Sequence, residues 1–535
     1  MPLSLTPRPL AAACLAALLT LAPLALQGPH AQVPGNTSPI NLPDLGDSTS
    51  AALSPVTERR LGDRIMRSIR RDPAVLDDPL MLEYVDSLWS GLLASARQRG
   101  DIGPELQATH AWEAFLVRDR AVNAFALPGG YIGVHLGLIA MTRNADELAS
   151  VLAHELAHVS QRHIARMIGQ QAQMSWVSVA SLLLGVLAAS SNPAAAQAVI
   201  AGGQAVAVQN QLNFSRDMER EADRVGFGVL VEGGFDPAGM AGMFEQLAQA
   251  ARLNDDGSFP YLRTHPLTTD RIGEARSRLG TSGWSAQGVR IDHVRATQHA
   301  LMSARARVLM DVRQSALQSI MRLEPPAQAD ALTRTAAHYG RAVALQRAGL
   351  HDDAAEALRA AREAARVLPL VAQPAAERVL TLSEAEGLML ARQPEQALSV
   401  LIRQSTGPRL VLQAPARPER LLMAEAALQS RIGGPSLLPR VAEQLEQQLQ
   451  ARSADATTWL ALAQVWHRLE QPVRAVRAEA EAAAALGDLP GAIDRAEGAQ
   501  RRFRQPDAAD TIELSALLAR SRAWQRQQQD DLRER

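Results

Sequence analysis

Lysine is absent from this chain: all 55 basic residues are arginine. Codon usage in a GC-rich genome is the plain account, because acid and base still balance, with 56 Asp and Glu and a net charge of −1. That balance gives no basis for binding nucleic acid or an anionic membrane surface through charge. Cysteine occurs once, as Cys14, so the chain cannot close a disulfide of its own. Aromatic residues make up only 4% and thin out further after about Val289. Beyond the N-terminus no apolar run reaches the ~20 residues that a membrane span needs. The nearest is Trp176 to Val208, which breaks at Ser191-Asn192-Pro193 and reads as two short Ala-rich helices. Core packing is its plainer use. A lid, or a surface touching client or membrane peripherally, is the alternative.

What is present divides the chain. At 535 residues it should hold more than one domain. Residues 1–31 have the form of a secretory signal peptide, with Arg8 before an apolar run from Leu10 to Leu26 and a cleavage point after Ala31. Ala11-Ala12-Ala13 lacks the leucine that a lipoprotein signal places before its cysteine, so Cys14 is not read as a lipid anchor. The mature chain would then be cysteine-free, which suits an oxidising periplasm. Residues 32–56, rich in Pro, Ser and Asn, read as a linker or arm. Residues 57–285 carry the chemistry described below. Residues 286–535 are Ala/Leu/Arg/Glu/Gln-rich and helical, and show no catalytic constellation. Ala342, Gly349, Ala354, Leu358 and Ala361 fit the small-residue positions of a tetratricopeptide helix pair. Looser matches run through Gly387 and Ala397, through Trp459, Ala463, Trp466, Ala475 and Ala482, and into the turn Gly487 to Ala492. A solenoid would offer a concave surface to protein partners; a generic helical bundle is the alternative.

The chemistry starts at His154-Glu155-Leu156-Ala157-His158. Residues four apart share one helix face, so His154 and His158 can aim two imidazoles at one metal ion. Glu155 can then reach a water in an open metal position, the HExxH logic of zinc peptidases. The flanks predict a helix. Asn144 followed by Glu147 resembles a capping box, and Leu148, Val151, Leu152 and Val159 recur at helical spacing with no Pro or Gly before Gly169. A core helix with two incidental histidines is the bland reading, and buried polar groups without a use argue against it.

A third ligand is required. The metzincin pattern would place glycine and histidine where this chain has Gln161 and Ile164, so that class is excluded. His163 lies five residues past His158, off the ligand face, and reads as a surface or outer-sphere histidine. The stretch Ser215 to Asp223 offers Glu219 and Asp223, four apart on one helix face. Glu219 would bind the metal, and Asp223 would accept a hydrogen bond from a ligating histidine and fix its tautomer. Glu221, on the other side, reads as a solvated salt-bridging residue.

Together, HExxH and Ser-Arg-x-x-Glu-x-x-Ala-Asp resemble the Ste24/HtpX-type gluzincin peptidases. The likeness is closest to their soluble branch, the beta-barrel assembly-enhancing protease (BepA-like) family. Asn123 to Leu138 resembles the strand–turn–strand that precedes the zinc helix there, and Thr264-His265-Pro266 with Arg271-Ile272 resembles a further family segment. The similarity runs from Leu61 to Leu279. It implies an α+β zincin metallopeptidase domain followed by an all-α tetratricopeptide-like solenoid, with one Zn2+ per chain held by His154, His158 and Glu219. It also implies periplasmic work on unfolded or misassembled outer-membrane β-barrel proteins and their assembly machinery.

Zinc held by two histidines and a glutamate keeps a fourth position for water, whose pKa falls to about 7. Glu155 would serve as general base and then proton donor to the leaving amine. His265 has two open roles: an oxyanion donor, or, as the resemblance implies, a fourth zinc ligand that occludes the site. Asn123 to Leu127 and Tyr131 to His135 read as two strands joined at Pro128-Gly129-Gly130, beside which an extended substrate could pair. Two other functions stay open: a chaperone or scaffold with a largely shut zinc site, and a general periplasmic housekeeping peptidase.

Overall fold

The first helix, α1 (Pro55–Ile69), starts where the sequence supplies its cap: Ser54 accepts the Thr57 N–H at 3.2 Å and Pro55 sits in the first turn. The computed structural model describes residues 53–170, 215–253, 259–281, 291–406, 416–505 and 507–533. All of these belong to one compact unit, Ser48–Arg535. The expected signal peptide, most of the arm and the apolar stretch 176–208 lie outside the described residues. None of the described helices is long and apolar enough to cross a membrane.

A four-stranded sheet follows, made of β1 (Val75–Leu76), β2 (Glu113–Val117), β3 (Ala124–Leu127) and β4 (Tyr131–His135), in the order β1-β2-β4-β3. Strands β2 and β4 run parallel, with Glu113 opposite Tyr131 and Val117 opposite His135. Strand β3 folds back antiparallel on β4, Ala124 opposite Val134, and forms an edge of the sheet. The hairpin lies where the sequence places it. Its turn needs Gly129 and Gly130, whose φ values of +76° and +87° are costly for any residue with a Cβ.

Helix α2 (Pro79–Arg99) is capped by Asp78, which accepts the Met81 N–H at 3.0 Å. After α3 (Pro104–Thr109), the sheet and α4 (Leu136–Met141) comes α5 (Ala145–Ser160), the HExxH helix. Asn144 accepts the Glu147 N–H at 2.9 Å, as a capping box requires. The return bond differs: Glu147 takes the N–H of Arg143 at 2.7 Å, one residue earlier than the ideal box. Every residue of α5 except Asp146 is buried. The helix is enclosed on all sides, by β3, α2, and the helices α7 (Arg216–Glu232) and α8 (Ala238–Leu253). Between them lies α6 (His163–Gln170); α9 (Tyr261–Thr264) and α10 (Thr269–Thr281) follow.

The remaining chain is helical. In order come α11 (His293–Leu309), α12 (Gln314–Met321), α13 (Ala331–Arg347), α14 (His351–Ala365), α15 (Gln373–Leu390) and α16 (Pro394–Thr406). They continue as α17 (Arg417–Gln429), α18 (Gly434–Ala451), α19 (Ala456–Arg468), α20 (Pro472–Ala485), α21 (Leu489–Arg502) and α22 (Ala508–Arg533). From α12 on, each helix whose contacts are described packs chiefly on its neighbours in sequence. Packing is nonetheless continuous across the change in composition near Val289: one apolar cluster runs from Leu76 to Ala478. Helix α11 is the join. His299 sits between the Tyr84 hydroxyl at 2.6 Å and the Thr142 carbonyl at 3.0 Å, just before the cap of α5. Arginines from the later helices reach α2: Arg305 pairs with Asp78, Arg378 with Glu83, Arg417 with Asp77 and Arg452 with Asp86.

Candidate metal centre

Three elements bring the site together. Helix α5 presents His154 and His158 one turn apart, with Glu155 beside them. Helix α7 crosses α5 closely because Gly226 has no side chain: a Cβ there would lie 3.0 Å from the Ala153 carbonyl oxygen and 3.1 Å from the His154 nitrogen. Ser215 caps α7, so Glu219 falls in its first turn, where the helix dipole favours a carboxylate. The third element is the C-terminus of α9, where His265 is the capping residue, its ring stacked on Tyr261 at 4.6 Å.

Ligating atoms of His154, His158, Glu219 and His265 all lie within 4.8 Å of one another. This is the one such group among the described residues. His154 Nε2 is 3.0 Å from His158 Nε2 and 3.3 Å from His265 Nδ1. Glu219 lies 3.5 Å from His154 Nε2, 3.4 Å from His158 Nε2 and 3.0 Å from His265 Nδ1. Bonds of ~2.0–2.1 Å in a tetrahedron put ligand atoms about 3.3 Å apart, so these separations fit a zinc-sized ion. The protonation pattern fits as well. Asp223 is 2.9 Å from His154 Nδ1 and accepts its N–H, which directs Nε2 inward, toward Nε2 of His158. Two ring nitrogens at 3.0 Å must share either a proton or a cation, and the surrounding ligand atoms fit a cation.

Burial and charge act against each other throughout the site. None of His154, Glu155, His158, Glu219, Asp223 and His265 is more than 2% exposed. Burial resists ionisation of Glu219, yet His265, His154 and His158 around it hold its pKa well below the usual carboxylate range. For Asp223, burial is likewise overcome, by Arg271 and His154, and the pKa falls to about 2. Burial alone would lower His154, but its bonds to Asp223 and Glu219 raise it to about 9. Glu155 is the exception. Burial raises its pKa against the pull of His265 and His154 and of a backbone contact from Ala126, and no side chain donates a hydrogen bond to it. A buried carboxylate with a raised pKa, 3.5 Å from His265 Nε2, is poised to handle protons.

Two residues join the site that the sequence left open or passed over. Arg271 grips Asp223 with two bonds of 2.7 and 2.8 Å and reaches Glu219 at 2.8 Å, so one guanidinium orients both carboxylates. Its only signal was its place after the Thr-His-Pro segment. Of the two readings of His163, surface or outer-sphere, burial selects the second: its Nδ1 lies 2.8 Å from His158 Nδ1. Glu221 forms a salt bridge as expected, with Arg166 at 2.8 Å, and also meets His163 at 3.0 Å.

A model of peptidase family M48 matches residues 102–279, which hold every residue of this site. The beta-barrel assembly-enhancing protease of Yersinia pestis is 30% identical over 389 residues, 68% of this chain and 76% of that one. The chain belongs to the beta-barrel assembly-enhancing protease family, within the M48 peptidases. A Vibrio cholerae protein that carries the same name is 39% identical over 259 residues, and there the match spans 48% of this chain and 51% of the relative, about half its length. The mitochondrial metalloendopeptidase OMA1 of Schizosaccharomyces pombe is 34% identical over 164 residues, 30% of this chain and 44% of that one. M48 peptidases are metallopeptidases, which agrees with a metal at the buried His/Glu cluster.

Proposed function

We propose that this chain is a zinc-dependent endopeptidase of the bacterial periplasm. It acts on misfolded or stalled outer-membrane β-barrel proteins, degrading them or helping them assemble. The observation that carries the chemistry is the convergence of His154, His158, Glu219 and His265 beside the buried carboxylate of Glu155. The barrel-protein clients rest on the names of the relatives, and the periplasmic setting on the signal-peptide form of residues 1–31.

Zinc bound there would polarise the scissile carbonyl and lower the pKa of a nearby water. The protein's own residues do the rest. Glu155, its pKa raised by burial, accepts the proton of the attacking water and returns it to the leaving amine. Asp223 and Arg271 hold His154 in the tautomer that keeps Nε2 free for metal. The backbone of Ala126, on edge strand β3, faces the Glu155 carboxyl, so an extended peptide paired along that edge would bring its carbonyls to the site. His265 Nδ1 lies within the ligand group, which supports the gate reading over an oxyanion donor: the ring must turn away before water and substrate can enter. The helices after His293 fit a tetratricopeptide-like solenoid that binds clients or the assembly machinery.

Casein cleavage by the full chain tests this reading. Glu155→Gln should lose at least 100-fold in rate while keeping one zinc per chain. His265→Ala should cleave faster than the parent. The closed site favours one rival, a chaperone that seldom cleaves. Client binding with no casein cleavage by parent or His265→Ala would establish that rival instead.

A further inference from the structure

We infer that His163 is a positioning residue for the metal: it accepts a hydrogen bond from His158 and passes the load to Glu221 and Arg166. The inference rests on the metal reading of the site. It concerns the second of the two ligating histidines, whose far side the Asp223 pair does not touch.

The direction of each bond follows from the geometry. His158 turns Nε2 toward His154 Nε2 at 3.0 Å and Glu219 at 3.4 Å, so that nitrogen faces the metal position. A neutral imidazole bound through Nε2 carries its proton on Nδ1. The atom 2.8 Å from that proton-bearing nitrogen is His163 Nδ1, which must therefore accept. The proton of His163 is then on Nε2, directed at Glu221 Oε2 3.0 Å away. Arg166 Nη1 reaches the same oxygen at 2.8 Å. The two histidine ligands are thus supported alike, each by a carboxylate backed by an arginine. Asp223 and Arg271 touch His154 directly. Glu221 and Arg166 act on His158 through one intervening ring.

The backbone is bent to make this contact. Five residues of continuous helix would turn His163 away from His158. Helix α5 stops instead at Ser160, and Arg162 takes a φ of +53°, in the left-handed region that disfavours a non-glycine residue. Arg162 is held there by Glu58 at 3.1 Å, itself buried, and by a bond to the Leu53 carbonyl. Strain that surrounding contacts enforce at one position, next to a metal site, points to a use for the bend. The bend returns His163 beneath the His158 ring.

Substitutions at His163 separate this role from simple packing. His163→Asn keeps an acceptor oxygen where Nδ1 stood; His163→Leu fills the space and removes it. Zinc affinity of the full chain is measured by competition with a chromophoric chelator. The Nδ1–H signals of the ligating histidines are followed by proton NMR in the cobalt-substituted protein. For His163→Leu the zinc Kd should weaken about 10–100-fold, and the His158 N–H signal should be lost to solvent exchange. For His163→Asn the Kd should stay within a few-fold of the parent and the signal should persist. Parental affinity in His163→Leu with the signal intact would overturn the inference, as would equal weakening in both variants. If His163→Leu does not fold, the partly exposed Glu221→Ala carries the test: severalfold weaker zinc binding supports the relay and unchanged binding sinks it. A parent chain that binds no zinc would overturn the metal reading itself, a separate failure.

Discussion

Replacing Arg305 with methionine should cost about 3 kcal/mol of stability. Arg305 is 1% exposed. Its guanidinium lies 2.7 Å from Asp78 and 2.9 Å from Glu386, and also donates to the Tyr339 hydroxyl at 3.2 Å. Methionine fills much of the aliphatic length but leaves two carboxylates facing each other without a cation. Breaking a buried pair from one side costs ~3–5 kcal/mol. The low end applies here for two reasons. Asp78 keeps the Met81 N–H of its helix cap, and the Glu386 side chain, 21% exposed, can be reached by water. Urea unfolding of the parent, Arg305→Met, Asp78→Asn and the double variant gives the assay. Asp78 and Arg305 should couple by about 1–3 kcal/mol in that cycle. A single-variant loss below about 1 kcal/mol, or additive effects of the two changes, would refute the view that this pair pins α11 onto α2.

Three further outcomes follow from the site. Gly226→Ala must push α7 off the backbone of α5 at Ala153 and His154; overpacking of ~1–3 kcal/mol against a helix-propensity gain of about 1 kcal/mol leaves the variant up to ~2 kcal/mol less stable. Its zinc affinity should fall because Glu219 moves with α7, and a more stable variant with parental zinc Kd would contradict the crossing geometry. In the zinc-free protein, Asp223 is held at about 2 when folded, against ~3.9 unfolded. A depressed folded pKa stabilises fully above the unfolded value and is lost as pH falls through the folded one, so about 2 kcal/mol should disappear between roughly pH 4 and pH 2. Urea midpoints of the parent and Asp223→Asn across that range test this; the same acid sensitivity in both would remove Asp223 from the account. Chelation should lower the melting temperature, and zinc at 100 times its Kd should restore about 2.7 kcal/mol; Glu219→Gln should show a much smaller zinc-dependent shift, and a shift equal to the parent's would exclude Glu219 as a ligand.

Local chemistry was legible in the residues alone. Spacing of four on a helix puts His154 with His158, and Glu219 with Asp223, on shared faces. Asn144 marked the start of α5, and Pro128-Gly129-Gly130 marked the hairpin turn. These features depend on neighbours a few residues away, where helix period and turn geometry leave little choice. The bend at Arg162 broke that logic locally, because contacts from Glu58 and Leu53, distant in sequence, override the helical continuation.

Relations across long separations needed the tertiary structure. The sequence by itself determined which helix holds the two candidate ligand histidines and which carboxylates could join them. Only the folded chain decided that Arg271 grips both Asp223 and Glu219, that His163 sits under His158, that His265 enters the ligand group, and that α11 and the later helices lock onto α2. Each of these joins residues tens to hundreds of positions apart, and periodicity and capping report only neighbours along the chain. Such contacts form when buried charges find the partners that burial makes obligatory, and those partners come from whichever elements the common core brings alongside.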